Sequence, residues 1–150
     1  MRGRHPWIHG KFRECGFRFT VPRQYILQVL KKSEGHLPAE EIYFKVRKLH
    51  SGTGLTTVYR TLELLVNMGV LSKIDTGEGK SRYELVEGIS GKKHHHHLVC
   101  TKCGKIIDYA DFMEKEKEFL AQTEKGLSAK YDFDIKNHKI YFTGFCKKCR

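Results

Sequence analysis

Apolar positions in the first 70 residues recur every three or four places, the spacing of helices that bury one face. Between Thr20 and Lys32 the stripe is Tyr25, Ile26, Val29 and Leu30, with Thr20 as N-cap and Pro22 in the first turn, where a missing amide proton is tolerated. Pro38, Glu40 and Glu41 open a second helix with Ile42, Val46 and Leu49 on its apolar face, the early acids suiting the positive end of the helix dipole. The run from His50 to Gly54 then breaks the chain. A third helix is predicted from Leu55 to about Met68, with Leu55, Val58, Leu62 and Leu65 inward and Gly69 as the stop. Its outward face carries Thr56, Thr57, Tyr59, Arg60 and Glu63.

Beyond Gly69 the period changes. Val70 to Ile74 and Ser81 to Val86, with Tyr83 and Leu85 alternating, read as a β-hairpin around the turn Thr76 to Gly79. Three helices and a hairpin in this order predict a winged helix-turn-helix domain over residues 1–86. The polar, glycine-containing segment 87–93 is read as a hinge. In residues 94–150, His94 to Cys100 and Lys105 to Tyr109 read as strands around the turn Thr101 to Gly104. An amphipathic helix is expected from Phe112 to about Lys125 through Phe112, Phe119 and Leu120. Tyr131 to Ile135 and Lys139 to Phe145 are expected to form a second hairpin around Asn137 and His138. The fold class is α+β, a winged-helix domain followed by a small α/β domain.

Composition narrows the picture. Hydrophobic residues at 39% and charged residues at 30% describe a soluble globular chain. No apolar run approaches the roughly 18 residues of a membrane span, and the N-terminus lacks the apolar core of a secretory signal. A cytoplasmic location is the expectation. The net charge of +11 favours a polyanionic partner, nucleic acid before membrane. Residues 1–80 carry 14 Lys+Arg against 7 Asp+Glu, and residues 81–150 carry 14 against 10, so the front half is the better phosphate-binding surface.

The sharpest chemical signal is the pair of C-x2-C knuckles, Cys100 with Cys103 and Cys146 with Cys149. Two thiolates from one tight turn reach a single tetrahedral ion, and two such turns complete a structural zinc site with no open position for catalysis. Lys102, Lys147 and Lys148 offset the charge of a tetrathiolate. A redox dithiol normally occurs once, at a helix N-terminus in a βαβ setting, which this order lacks. Cys15, the odd cysteine, is expected to be a small buried apolar residue.

His94 to His97 enter a strand directly, so His95 and His97 share one face and His94 and His96 the other. Neutral imidazoles ligate divalent transition metals, and Glu84, Asp108, Asp111, Glu114 and His138 are available partners. Spacing alone does not pair them. A zinc deaminase also combines His, Glu and C-x-x-C, but there is no H-x-E motif and neither Cys pair follows a proline, so the chain is not read as an enzyme.

Five spaced motifs are similar to those of the ferric uptake regulator (Fur) family: Thr20 to Arg23, Leu55 to Leu62, Gly79 to Glu84, His94 to Asp108, and the closing Cys146 to Cys149. The resemblance covers nearly the whole chain, in order. It implies a homodimer that binds palindromic, AT-rich double-stranded operators when loaded with metal, as a regulator and by expectation a repressor. By position it implies a regulatory metal at His36, Glu84, His95, His97 and Asp108. It implies a second site at His94, His96, Glu114 and His138, and structural zinc on the four cysteines. DNA contacts are implied for Thr56, Thr57, Tyr59 and Arg60 in the major groove and Arg18 near the minor groove. The regulatory ion would be Fe2+, Zn2+ or Mn2+.

This chain departs from the family pattern at His96, where many relatives have Asp, and at Pro38, usually a Ser N-cap. Asp111 and Glu114 compete for one ligand position. Glu84, where the peroxide-sensing branch tends to have Asp, leans toward the iron- or zinc-responsive branches. A peroxide-sensing regulator and a metal-storage or delivery protein remain the alternative functions.

Overall fold

The computed structural model describes residues 6–33, 35–77, 79–91 and 93–150. Residues 1–5, Glu78 of the expected turn and Lys92 of the expected hinge lie outside the described residues. The chain divides into two compact units, Met1–Lys92 and Lys93–Arg150.

The first unit begins with a helix that the apolar pattern does not announce, α1 (Pro6–Glu14). Ile8 and Phe12 stand one turn apart and are 1% and 0% exposed, a two-residue stripe hidden among basic and polar neighbours. Helices α2 (Val21–Lys32), α3 (Ala39–Leu49) and α4 (Leu55–Asn67) follow. Thr20 caps α2 in an extended conformation, although its hydroxyl makes no capping bond, and Pro22 occupies the first turn. Ile26, Leu27, Val29, Leu30, Ile42, Val46, Val58, Leu62 and Leu65 meet in one core.

Two expected core positions are corrected. Leu49 is 47% and Leu55 38% exposed, because they end α3 and begin α4 beside the open loop between them. Buried Ala39 and Thr61 complete the stripes instead. Helix α4 stops at Gly69, whose φ of +66° is the left-handed conformation that glycine adopts without strain. There the Gly69 amide donates to the Val66 carbonyl and the Val70 amide to that of Leu65, which satisfies the last turn.

The wing is the antiparallel pair β2 (Leu71–Asp75) and β3 (Ser81–Leu85), with Tyr83 and Leu85 buried as expected and Glu84 between them buried as well. A two-residue strand, β1 (Leu37–Pro38), pairs with the other edge of β3 in the order β1-β3-β2. A short helical turn, α5 (Glu87–Ser90), closes this unit.

The second unit is a sheet of β4 (His96–Cys100), β5 (Ile106–Tyr109) and β6 (Tyr141–Gly144) in the order β5-β4-β6, with one long helix, α6 (Met113–Tyr131). The expected second hairpin does not form. Ala121 to Lys130 are mostly good helix formers and carry α6 through Tyr131 to a left-handed stop at Asp132. The last strand then pairs parallel to β4, with α6 in the connection that parallel neighbours need. Phe112 and Phe119, expected to anchor the helix, are 87% and 67% exposed. Buried apolar side chains here come down to Val99, Cys100 and Met113. Among the described residues, no helix is long and apolar enough to cross a membrane.

Candidate metal centres and nucleic-acid interface

Strand β4 ends on Cys100, and the chain folds back at once: the Gly104 amide donates to the Cys100 carbonyl, with Gly104 at a φ of +70°. The last residues make a matching turn in which the Cys149 amide donates to the Cys146 carbonyl. The Thr101 amide donates to the Gly144 carbonyl at the end of β6, which brings the two knuckles side by side. All four sulfur atoms lie within 4.8 Å of one another, and Cys103 Sγ is 3.8 Å from Cys146 Sγ. Thiolates at about 2.3 Å from a tetrahedral zinc would stand about 3.8 Å apart, so the donor set fits that ion.

Electrostatics point the same way. Amide protons, first that of Cys146 and then that of Cys103, lower the Cys100 thiol to about 6. The Cys149 thiol is pushed up to about 12, first by its hydrogen bond to Cys146 and then by desolvation. One thiolate forms easily and the last is opposed by its neighbours, a balance that a divalent cation reverses. Cys15, expected to be buried, is exposed just beyond α1 and takes no part.

The second cluster also lies within this unit. Alternation through β4 and the two residues before it puts His94 beside His96 and His95 beside His97, each pair with ring centroids 4.9 Å apart. Ring nitrogens of His94, His96 and His138 lie within 4.8 Å of one another, and the Nε2 atoms of His94 and His96 are 3.1 Å apart. The backs of His96 and His138 are held by carboxylates, with Glu116 at 3.0 Å from His96 Nδ1 and Glu124 at 2.6 Å from His138 Nδ1. The Tyr109 hydroxyl donates to Glu116. His138 Nε2 is buried with no hydrogen-bond partner among the described residues. Imidazoles whose outer nitrogens bond carboxylates and whose inner nitrogens converge suit a divalent transition metal.

Glu114, the carboxylate expected from resemblance, is exposed, as is Asp111. Two residues along a helix turn the side chain by about 200°, so Glu116 reaches His96 while Glu114 faces away. Sequence spacing misses Glu116, Glu124 and Tyr109. A search for carboxylates at both phases of the helix would have found the first. Burial lowers the His96 imidazole, and the Glu116 carboxylate opposes that effect.

The remaining candidate ligands form two sets, one in each unit. In the first, His36 Nε2 is 3.0 Å from Glu84 Oε2, because pairing of Leu37 with Tyr83 sets β1 beside β3. In the second, Asp108 lies across β4 and β5 from His97, with its carboxylate oxygens 3.7 Å from His97 Nε2 and 3.9 Å from His95 Nε2.

On α4, Thr56, Thr57, Tyr59 and Arg60 are exposed on one side, while Val58, Thr61 and Leu62 are buried on the other. Tyr59 donates its hydroxyl proton to Glu40. Glu63 on the same face accepts from Lys73 of the wing at 2.8 Å. Arg18 is exposed, and its carbonyl accepts from the Arg23 guanidinium, which also covers the rings of Phe12 and Phe17.

A winged helix-turn-helix unit joined to a small α/β unit with thiolate and imidazole clusters defines a metal-responsive transcription regulator. The ferric uptake regulator family model matches residues 14–143. The ferric uptake regulation protein of Bacillus subtilis is 37% identical over 151 residues, covering 99% of this chain and 96% of that one. The solved Helicobacter pylori ferric uptake regulator, described as having three functional metal-binding sites, superposes with a TM-score of 0.70 at 28% identity. That match covers 96% of this chain and 89% of that one. The Vibrio cholerae ferric uptake regulator gives a TM-score of 0.64 at 35% identity, over 93% and 99%. The chain belongs to the ferric uptake regulator family.

Proposed function

We propose that this chain is a repressor that acts as a homodimer on palindromic, AT-rich operator DNA when its regulatory site holds a divalent metal, Fe2+, Zn2+ or Mn2+. Residues 1–86 would read DNA, 87–93 would serve as a hinge, and 94–150 would form the dimerisation domain. The observation that carries this reading is the division of imidazole and carboxylate donors between the units: His36 with Glu84 in the winged-helix unit, and His95 and His97 with Asp108 in the other. A divalent cation bound by all five residues would link the two units.

Such a link matters because the reading helices of a dimer must match half-sites one helical turn or more apart. Metal affinity that differs between DNA-competent and other shapes then shifts the population. On DNA, α4 would enter the major groove with Thr56, Thr57, Tyr59 and Arg60, and Arg18 would approach a narrow AT-rich minor groove. Zinc on Cys100, Cys103, Cys146 and Cys149 would hold the second unit together. The imidazole cluster of His94, His96 and His138, backed by Glu116, would take a further ion.

Fluorescence anisotropy of the zinc-loaded protein on the duplex it selects from a random library, at buffered free Fe2+, Mn2+ or Zn2+, tests this reading. Wild type should bind only above a threshold of one of these metals. His97→Ala and Glu84→Ala should fail to bind the duplex at any of these metal concentrations and keep one zinc per chain. Metal-independent binding by wild type, or unchanged metal dependence in both variants, would overturn the proposal.

A further inference from the structure

We propose that Glu40 is a positioning residue for base reading: its carboxylate holds the Tyr59 phenol, and so fixes where the exposed ring stands on α4. This inference rests on the docking of α4 in the major groove proposed above. The Tyr59 hydroxyl donates to Glu40 Oε1 at 2.5 Å, across 19 residues of sequence and from one helix of the helix-turn-helix to the other. Tyr59 is 38% exposed, so packing alone does not fix the direction of its ring. Each rotamer-rich side chain that must be ordered on binding weakens association, and a bond already made in the free protein removes that cost.

The bond is charge-assisted. Tyr59 lowers the Glu40 carboxyl below its ordinary value and Glu40 raises the Tyr59 phenol, so at neutral pH an ionised carboxylate faces a protonated hydroxyl. Lys80, at the wing turn, adds a smaller attraction that also lowers Glu40. The neighbouring acid Glu41 is engaged by Lys45 at 3.1 Å, and Glu63 on the α4 face is engaged by Lys73. Glu40 is therefore the acid committed to the reading helix. The bond leaves the carboxylate charged, so whatever repulsion Glu40 exerts on phosphate is the same for every duplex and does not select bases.

An alternative role for Glu40 is favourable charge at the start of α3. That role predicts a change in stability alone, whereas positioning predicts a change in what the protein reads. Replacing one thymine by deoxyuracil in the selected duplex removes one C5 methyl group and nothing else. If the Tyr59 ring packs on that methyl, the replacement should weaken wild-type binding about fourfold at one position per half-site, the factor that burial of one methyl group gives.

In Glu40→Ala and in Tyr59→Phe, which both lose the bond, the penalty should shrink toward onefold, with binding to scrambled duplex unchanged or tighter. The double variant should be no worse than either, and Glu40→Gln, which keeps an acceptor, should retain most of the penalty. Far-UV circular dichroism checks folding, and Glu40→Gln with Tyr59→Phe decides the matter if Glu40→Ala unfolds. A wild-type penalty in both Glu40→Ala and Tyr59→Phe overturns the positioning role. A wild-type duplex series with no penalty anywhere, or one unchanged in Tyr59→Ala, overturns instead the placing of Tyr59 on the bases, and this inference with it.

Discussion

The Glu116 carboxylate stands 3.0 Å from Nδ1 of His96, on the side away from the ring nitrogens of His94 and His138. That geometry assigns the ring a tautomer: a proton on Nδ1 is shared with the carboxylate, and Nε2 keeps its lone pair for a cation. At His96 this chain therefore places an imidazole with a carboxylate behind it, so the negative charge stands one side chain back from the converging ring nitrogens.

Glu116→Gln should then weaken metal binding at the imidazole cluster by about 10 to 100-fold, the usual effect of losing a partner that orients a ligand. Glu114→Gln should change it little, because that side chain is exposed. Competition titrations of Co2+ or Zn2+ on protein with its thiolate zinc in place separate the two variants. A loss in Glu114→Gln with none in Glu116→Gln would return the role to Glu114.

Acidification should release metal from this cluster and destabilise the second unit together. Burial holds the His96 imidazole below its ordinary value of 6.5 in the folded chain. An unfolded chain then binds more protons in the window just below that value, so the stability contributed by the neutral ring is present above it and lost as pH falls. Protonation also competes with the metal for the same nitrogen. Thermal melts of the metal-free and Co2+-loaded protein between pH 7.5 and about 5.5 should fall with pH, and His96→Ala should flatten the metal-free curve. An unchanged slope in that variant would exclude His96 as the group responsible.

Removal of the thiolate zinc should cost the second unit its structure. The four sulfur atoms tie the end of β4 to the chain terminus, and the unit buries only three apolar side chains. Closed zinc sites contribute directly to folding free energy. Cys103→Ser, or a strong chelator, should abolish the cooperative melt of this unit while the winged-helix melt persists. Calorimetry showing two intact transitions without zinc would refute that dependence.

The same contrast explains what the sequence makes legible. Helices α2, α3 and α4 announce themselves because each buries a stripe of three or four side chains against the others, Ala39, Ile42 and Val46 in α3. Period two along β4 is enough to sort His94 and His96 from His95 and His97. Helix α1 is hidden, because Ile8 and Phe12 are too few to make a period. The parallel pairing of β6 is hidden for another reason: alternation in Tyr141 to Gly144 marks a strand and does not name its partner. Glu116 escapes because spacing gives the neighbourhood of a ligand, and helix phase decides which neighbour turns inward.

The last expectation concerns self-association of the second unit. Cross-strand pairing sets Leu98 opposite Ile107 on one side and opposite Phe142 on the other, so the three share one sheet face across β5, β4 and β6. All three are exposed, at 41%, 41% and 57%, and Phe145 follows at 64%. Water contact with such a stripe is unfavourable by about 25 cal/mol for each Å² of apolar surface, and contiguous exposed patches of this kind mark interaction surfaces. A unit of this size with so little buried apolar surface is marginal alone. A second copy bringing its own stripe, in an isologous contact, removes both faces from water at once. The zinc-loaded protein should then sediment as the proposed dimer at micromolar concentration, and Phe142→Glu as a monomer. Operator affinity should fall with it, because two half-sites would be read by separate molecules. The zinc content should stay at one per chain, which distinguishes a broken interface from a broken fold. A variant that remained dimeric would place the dimer contact elsewhere on this unit, with the exposed aromatic residues of α6 and the segment after it, Phe119, Tyr131 and Phe133, next to be substituted.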